Sequence, residues 1–199
     1  MGAAGSSPAG SAEERTSQTT PDSRVMTAAS YRVNGLSLER ATAADLDRIV
    51  AIEQASFPTP WTRKMFEVEL NQNPFGQLWV RWFADQVPAA RDIMCYVCFW
   101  VVFEEVRVMT LAVDPAARGR GIGRTLLQHA LAIGREQGAL RALLEVRESN
   151  AAASNIYTQA GFRRVAVRPR YYTNPVEDAV LMELELLLPQ RATTSASSP

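Results

Sequence analysis

The sequence predicts an α/β protein with a central mixed sheet of seven strands flanked by about four helices. Three observations carry this. Strand-like apolar segments and amphipathic segments of helical period follow one another in the order β α α β β β α β α β β. Only the passage from Val106–Val113 through a helix to Leu140–Val146 requires a parallel crossover, while the early strands stand close enough together for hairpins. The 199-residue chain is 47% hydrophobic, which fills the core of one domain and requires no second.

Residues 1–33 read as a disordered tail, rich in Gly, Ala, Ser, Thr and Pro and without the hydrophobic stretch of a secretory signal. The folded domain spans 34–188 and opens on a short alternating strand, Leu36–Arg40. Thr42 and Asp45 then have the spacing of a capping box. The helix they open runs to about Ala55 with Leu46, Ile49, Val50 and Ile52 on its apolar side. Pro58 and Pro60 end it, and a second helix, Thr62–Asn71, packs through Met65, Phe66 and Leu70. Gln77–Ala84 and Ile93–Phe103 are the next two strands, and Val106–Val113 is the fourth. The third helix begins near Gly121, carries Ile122, Leu126, Ala130 and Ile133 at near-helical spacing, and stops at Gly138. Leu140–Val146 is the fifth strand and Asn150–Ala160 the fourth helix, closed by Gly161. Phe162–Arg168 and Ala179–Leu188 complete the sheet. Residues 189–199 read as a second disordered tail.

Composition excludes several classes of function. The 21 basic and 21 acidic residues cancel, so no global field draws the chain to nucleic acid or to a membrane surface. The longest apolar run, Ile93–Phe103, has 11 residues against the roughly 20 a spanning helix needs, and reads as a buried strand. A cytoplasmic location is expected. Cys95 and Cys98 form a C-x-x-C pair, but positions i and i+3 of a strand face opposite ways, so two inert core thiols are expected. No second such pair exists and His129 is the single histidine, so no metal is expected. His129 itself reads as a bystander on the exposed side of its helix.

The segment Val108–Arg124 runs an apolar strand into a glycine-rich turn and on into a helix. A helix N-terminus leaves backbone N–H groups without partners, and its dipole favours an anion. Arg118, Arg120 and Arg124 add positive charge there. The pattern Arg118-x-x-Gly121-x-Gly123 is neither a Walker loop nor the dinucleotide fingerprint. By itself it fits a phosphate cradle or a simple strand–helix corner.

Leu111-Ala-Val-Asp-Pro115, the Arg118-x-x-Gly121-x-Gly123 turn and the later Asn150, Tyr157 and Gly161-Phe162 resemble the GCN5-related N-acetyltransferase (GNAT) superfamily. Ile52–Pro58 with Trp61, Leu144–Ala153, and Tyr171-Tyr172 followed by Glu177–Ala179 resemble its branch of bacterial ribosomal-protein-alanine N-acetyltransferases. The resemblance covers Leu36–Leu188; Cys95 departs from it, standing where the branch has glycine. It implies acetyl-CoA as donor, no metal, and as partner a protein N-terminal peptide, ribosomal in that branch, without direct contact to nucleic acid or membrane. A monomer is expected.

The resemblance also implies roles. Leu111, Ala112, Val113, Arg118, Gly119, Arg120, Gly121, Ile122, Gly123, Arg124 and Asn150 would hold the donor, with a bulge in the fourth strand turning the N–H of Leu111 or Val113 toward the thioester oxygen. Glu145 would be the general base and Tyr157 the general acid. A free α-amino group has a pKa of about 7.7–8.0, so a carboxylate suffices as base, and a phenol can protonate a departing thiolate. Residue type alone leaves other readings open: a salt bridge from Glu145 to Arg141, Arg147 or another arginine, a core aromatic for Tyr157, a helix cap for Asn150. Trp61, Tyr171 and Tyr172 are placed in loops that could flank a peptide, with Glu53, Glu105, Glu177 or Asp178 to receive its charge. The rival functions are a polyamine or aminoglycoside acetyltransferase and a non-catalytic acyl-CoA sensor.

Overall fold

The computed structural model describes residues 30–33, 36–83 and 92–186. Its elements are β1 (Ser30–Val33), β2 (Leu36–Arg40), α1 (Leu46–Gln54), α2 (Arg63–Asn71), β3 (Gly76–Trp82), β4 (Ile93–Val102), β5 (Glu105–Val113), α3 (Ile122–Glu136), β6 (Arg141–Arg147), α4 (Ala151–Gln159), β7 (Arg163–Thr173) and β8 (Val176–Glu185). They form one sheet in the order β1-β2-β3-β4-β5-β6-β8-β7. The seven expected strands are β2–β8. The additional β1 pairs antiparallel with β2, so the expected boundary at residue 34 moves back to Ser30. The remainder of the N-terminal segment and residues 189–199 lie outside the described residues.

Local chemistry sets the element ends. The Asp45 carboxylate accepts from the Thr42 N–H at 2.7 Å and from its hydroxyl at 2.9 Å, opening a short 3-10 turn that leads into α1. Thr62 caps α2 by accepting from the Met65 N–H. After α3, Gly138 takes a φ of 88°, which a side chain would resist, and the Ala139 N–H returns to the Gly134 carbonyl at 2.8 Å.

Both sheet faces are covered. Leu126, Leu127, Ala130 and Ile133 of α3 pack with Val97, Val106, Leu144 and Val180 on one face, while Ile49, Ile52 and Phe66 of α1 and α2 pack with Leu78, Val80 and Tyr96 on the other. Cys95 joins the first cluster and Cys98 the second, so the strand does turn the two buried thiols to opposite faces. Burial pushes the Cys95 thiol up to about 12. A close approach explains Gly134: a Cβ there would stand 1.9 Å from Cγ2 of buried Val106. Gly134→Ala is therefore expected to destabilise the fold by about 3 kcal/mol, read as a lower denaturation midpoint in urea.

His129 is a correction. It is fully buried rather than exposed, with its ring edge-on to Trp79 at 4.7 Å. Burial lowers its pKa from 6.5 to about 4. The unfolded chain therefore binds this proton first, so the associated stability is complete above about pH 6.5 and drains away as pH falls toward 4. The stake is about 3 kcal/mol. Urea unfolding at pH 7.5 and pH 4.5 should show a smaller loss on acidification in His129→Leu than in the wild type; equal losses would refute this.

Two irregularities position the site. In β5, Val108 pairs with Phe99 and Thr110 with Cys98, leaving Met109 as the extra residue of a bulge. The parallel pairing of β5 with β6 covers only Glu105–Val108 against Arg141–Leu144. Beyond that point the two strands part.

Candidate active site

The gap between the parted strands opens into a cavity of about 870 Å³. Leu111, Ala112 and Val113 of β5 form one wall, Leu144–Arg147 of β6 the other, and the N-terminus of α3 closes one end. Asp114 donates its N–H to the Met94 carbonyl of β4 at 2.8 Å. Strand alternation then turns the Ala112 N–H toward β4 as well, and the N–H groups of Leu111 and Val113 toward the gap.

The glycine turn sits where β5 ends. Asp114 is held by Arg48 at 2.6 Å and caps the turn at the Ala116 N–H at 2.8 Å. Its burial favours protonation, but Arg48 and the Ala116 N–H outweigh this and hold the carboxyl below its ordinary value. Gly119 (φ 78°) and Gly121 (φ 74°) adopt left-handed backbone with open space where a Cβ would stand. Gly121 is the N-cap of α3 and supplies no side-chain cap. Bare first-turn N–H groups facing open space are what a pyrophosphate needs. Arg118 donates to the Val113 carbonyl (3.0 Å) and Ser56 (2.8 Å), and Arg124 to Gln159 of α4. Both arginines line the cavity with Gly119, Gly121, Ile122, Gly123 and Asn150; Arg120 does not, and stands on the outer side of the turn near the Ala116 carbonyl. Asn150 caps α4 through the Ala153 N–H at 3.1 Å while still lining the cavity.

Glu145 and Tyr157 both face this space. The Glu145 carboxylate accepts from Arg168 at 2.5 Å, so the arginine partner left open by residue type is Arg168, neither Arg141 nor Arg147. Tyr157 packs against Phe162, and burial raises its phenol to about 12, with Tyr172 nearby. Tyr171 and Tyr172 lie in strand β7 rather than in a loop, and Glu177 and Asp178 lie in β8. Glu177 binds Arg147 at 3.2 Å and the Ser149 N–H at 2.5 Å, and Asp178 accepts from the Arg170 N–H at 2.8 Å. Glu105 pairs with Arg107 and Arg141 at the opposite end of β5 and takes no part.

The remaining wall comes from the α1–α2 connection, with Phe57, Thr59 and Trp61. Glu53 underlies it, accepting from the Trp61 N–H at 2.9 Å, from Thr110 at 3.3 Å and from the Tyr96 hydroxyl. Burial raises its pKa although these three donors work against the rise. Thr59 donates to the Asn174 carbonyl at 2.9 Å, joining this connection to the β7–β8 turn. Arg168, Thr59 and Met109 escape sequence reasoning because each matters through a partner distant in the chain.

The parted parallel pair, the bulge and the uncapped helix N-terminus together make a cavity between two strands with an end suited to a phosphate-bearing ligand. The family model described as Acetyltransferase (GNAT) family matches residues 46–162. The [ribosomal protein bS18]-alanine N-acetyltransferase of Salmonella typhimurium is 33% identical over 156 residues, covering 77% of this chain and 99% of that protein. A putative enzyme of that description from Bacillus subtilis is 33% identical over 138 residues, covering 69% and 87%. The crystal structure of the ribosomal-protein-S18-alanine N-acetyltransferase from Escherichia coli superposes with a TM-score of 0.67 at 29% identity, covering 78% of this chain and 96% of that one. The chain belongs to the GNAT acetyltransferase family, with acetyl-CoA as its donor.

Proposed function

We propose that the protein acetylates the α-amino group of a protein N-terminus, that of an alanine-starting ribosomal small-subunit protein, in the cytoplasm. The observation that carries this is the placement of Glu145 and Tyr157 on the cavity that the glycine turn also lines. The bS18-alanine N-acetyltransferases among the relatives support the acceptor.

When bound, acetyl-CoA supplies the acetyl thioester. The α3 N-terminus, with Arg118 and Arg124, holds the pyrophosphate end, and Asn150 borders its path. The N–H groups of Leu111 and Val113 point into the gap and stabilise negative charge developing on the acyl oxygen. Glu145 takes the proton from the acceptor amine, and Tyr157 donates one to the departing sulfur. Phe57, Trp61 and the β7–β8 hairpin enclose the approach of the peptide.

The test is an acceptor panel with the full chain and acetyl-CoA: a bS18 N-terminal peptide beginning with alanine, the same peptide with its α-amino group blocked, and spermidine. Acetylation of the free peptide alone is expected. Preferential use of spermidine would make the protein a small-molecule acetyltransferase. Saturable CoA binding with no acetylated peptide or amine would make it a sensor.

A further inference from the structure

Glu145 stands at the open end of a ladder of arginines and tyrosines. The closed end is Arg147, whose guanidinium lies 4.0 Å from the Tyr172 ring centre. It is anchored by the carbonyls of Asn174 (3.1 Å) and Pro175 (3.3 Å) and by Glu177 (3.2 Å). Tyr171 meets Tyr172 edge-on at 5.2 Å, and the Arg168 guanidinium lies 5.6 Å from the Tyr171 ring centre. From there Arg168 Nη1 donates to Glu145 Oε1 at 2.5 Å, and the nearby Glu145 carboxylate raises the pKa of Tyr171.

The backbone makes this convergence. Arg168 pairs with Ala179 and Tyr172 with Glu177, so three residues of β7 oppose Asp178 alone. Arg170 takes a φ of 51° in this bulge. β7 is an edge strand, exposed along nearly its whole length. Charged side chains on an edge also discourage pairing with other chains, a duty that Arg163 and Arg170 meet equally well. That duty gives no reason for Arg168 to bond a carboxylate on the cavity wall. A glutamate side chain fixed only at its backbone samples several directions, and a charged donor on one carboxylate oxygen holds it to one of them.

We propose that Arg168 is a positioning residue for acetyl transfer: by holding Oε1 of Glu145 it presents the second carboxylate oxygen to the acceptor amine. Arg168 acts through Glu145, so the inference rests on the reading of Glu145 as the base. Lysine at this position keeps the charge and one donor but loses the planar fork, and restores part of the effect.

The test is steady-state kinetics with acetyl-CoA and the alanine-starting peptide for wild type, Arg168→Ala, Arg168→Lys, Glu145→Gln and the double variant Arg168→Ala/Glu145→Gln. Arg168→Ala should lower kcat about 10–100-fold with the KM for acetyl-CoA unchanged, and Arg168→Lys should recover part of it. In the Glu145→Gln background, removal of Arg168 should cost nothing further, since the two residues act as one unit. Wild-type kcat in Arg168→Ala, or an equal loss in both backgrounds, would overturn the inference while leaving the acetyltransferase reading intact. A wild-type protein that acetylates no peptide would overturn both.

Discussion

Glu145→Gln is expected to lower kcat for peptide acetylation by about 10²–10⁴-fold while leaving CoA affinity within a factor of two. The substitution keeps the size of the side chain and an oxygen for Arg168 to bond, and removes only the capacity to take a proton. Below about pH 7.7 the acceptor arrives mostly as an ammonium, so the loss should be largest there and shrink as pH rises and free amine becomes abundant. Glu145 belongs to β6 and the glycine turn to the β5–α3 connection, so equilibrium binding of CoA is the control. Near-normal turnover at pH 7 would remove Glu145 from the reaction.

Tyr157→Phe should cost a similar factor with a different pH signature. Burial raises the phenol to about 12, so its proton stays in place through the whole range in which the acceptor amine becomes neutral. The wild-type kcat/KM should therefore climb through about pH 8 and stay level to about pH 10, with no fall from this residue. The phenylalanine variant should follow the same curve at a rate lower by about 10²–10⁴. A descending limb in the wild type near pH 8–9 that disappears in the variant would contradict the buried, high-pKa phenol. Since the ring packs against Phe162, the methyl-sized change at its edge leaves the contact in place, and thermal stability should be close to that of the wild type.

Several features were legible because they depend on neighbours in the chain. The turn at Gly119 and Gly121, the capping box of Thr42 and Asp45 and the stop at Gly138 all follow from residues a few positions apart. The alternation along Ile93–Val102 likewise placed Cys95 and Cys98 on opposite faces. His129 was also within reach: it follows Leu126 by three positions and precedes Ile133 by four, which puts it on the buried stripe of α3. The helical period was the guide to follow. β7 runs on through Pro169 to Thr173 rather than ending at Arg168, and β8 begins at Val176 rather than Ala179. On an edge strand with a bulge, a proline costs no ladder bond.

By itself, then, the sequence determined the order of the seven expected strands and their helices and the glycine turn at the start of α3, and its family resemblance nominated Glu145 and Tyr157 as base and acid. Each rests on short-range spacing or on a motif confined to one segment. Only the tertiary structure decided where β5 and β6 part, which residue bulges, that Arg168 rather than Arg141 or Arg147 meets Glu145, and that Glu53 sits beneath Trp61 on Tyr96 and Thr110. Most of these contacts join distant segments, 23 residues apart from Glu145 to Arg168 and 57 from Glu53 to Thr110. The register of the sheet sets them, and register is a property of paired strands that no single stretch of the chain contains.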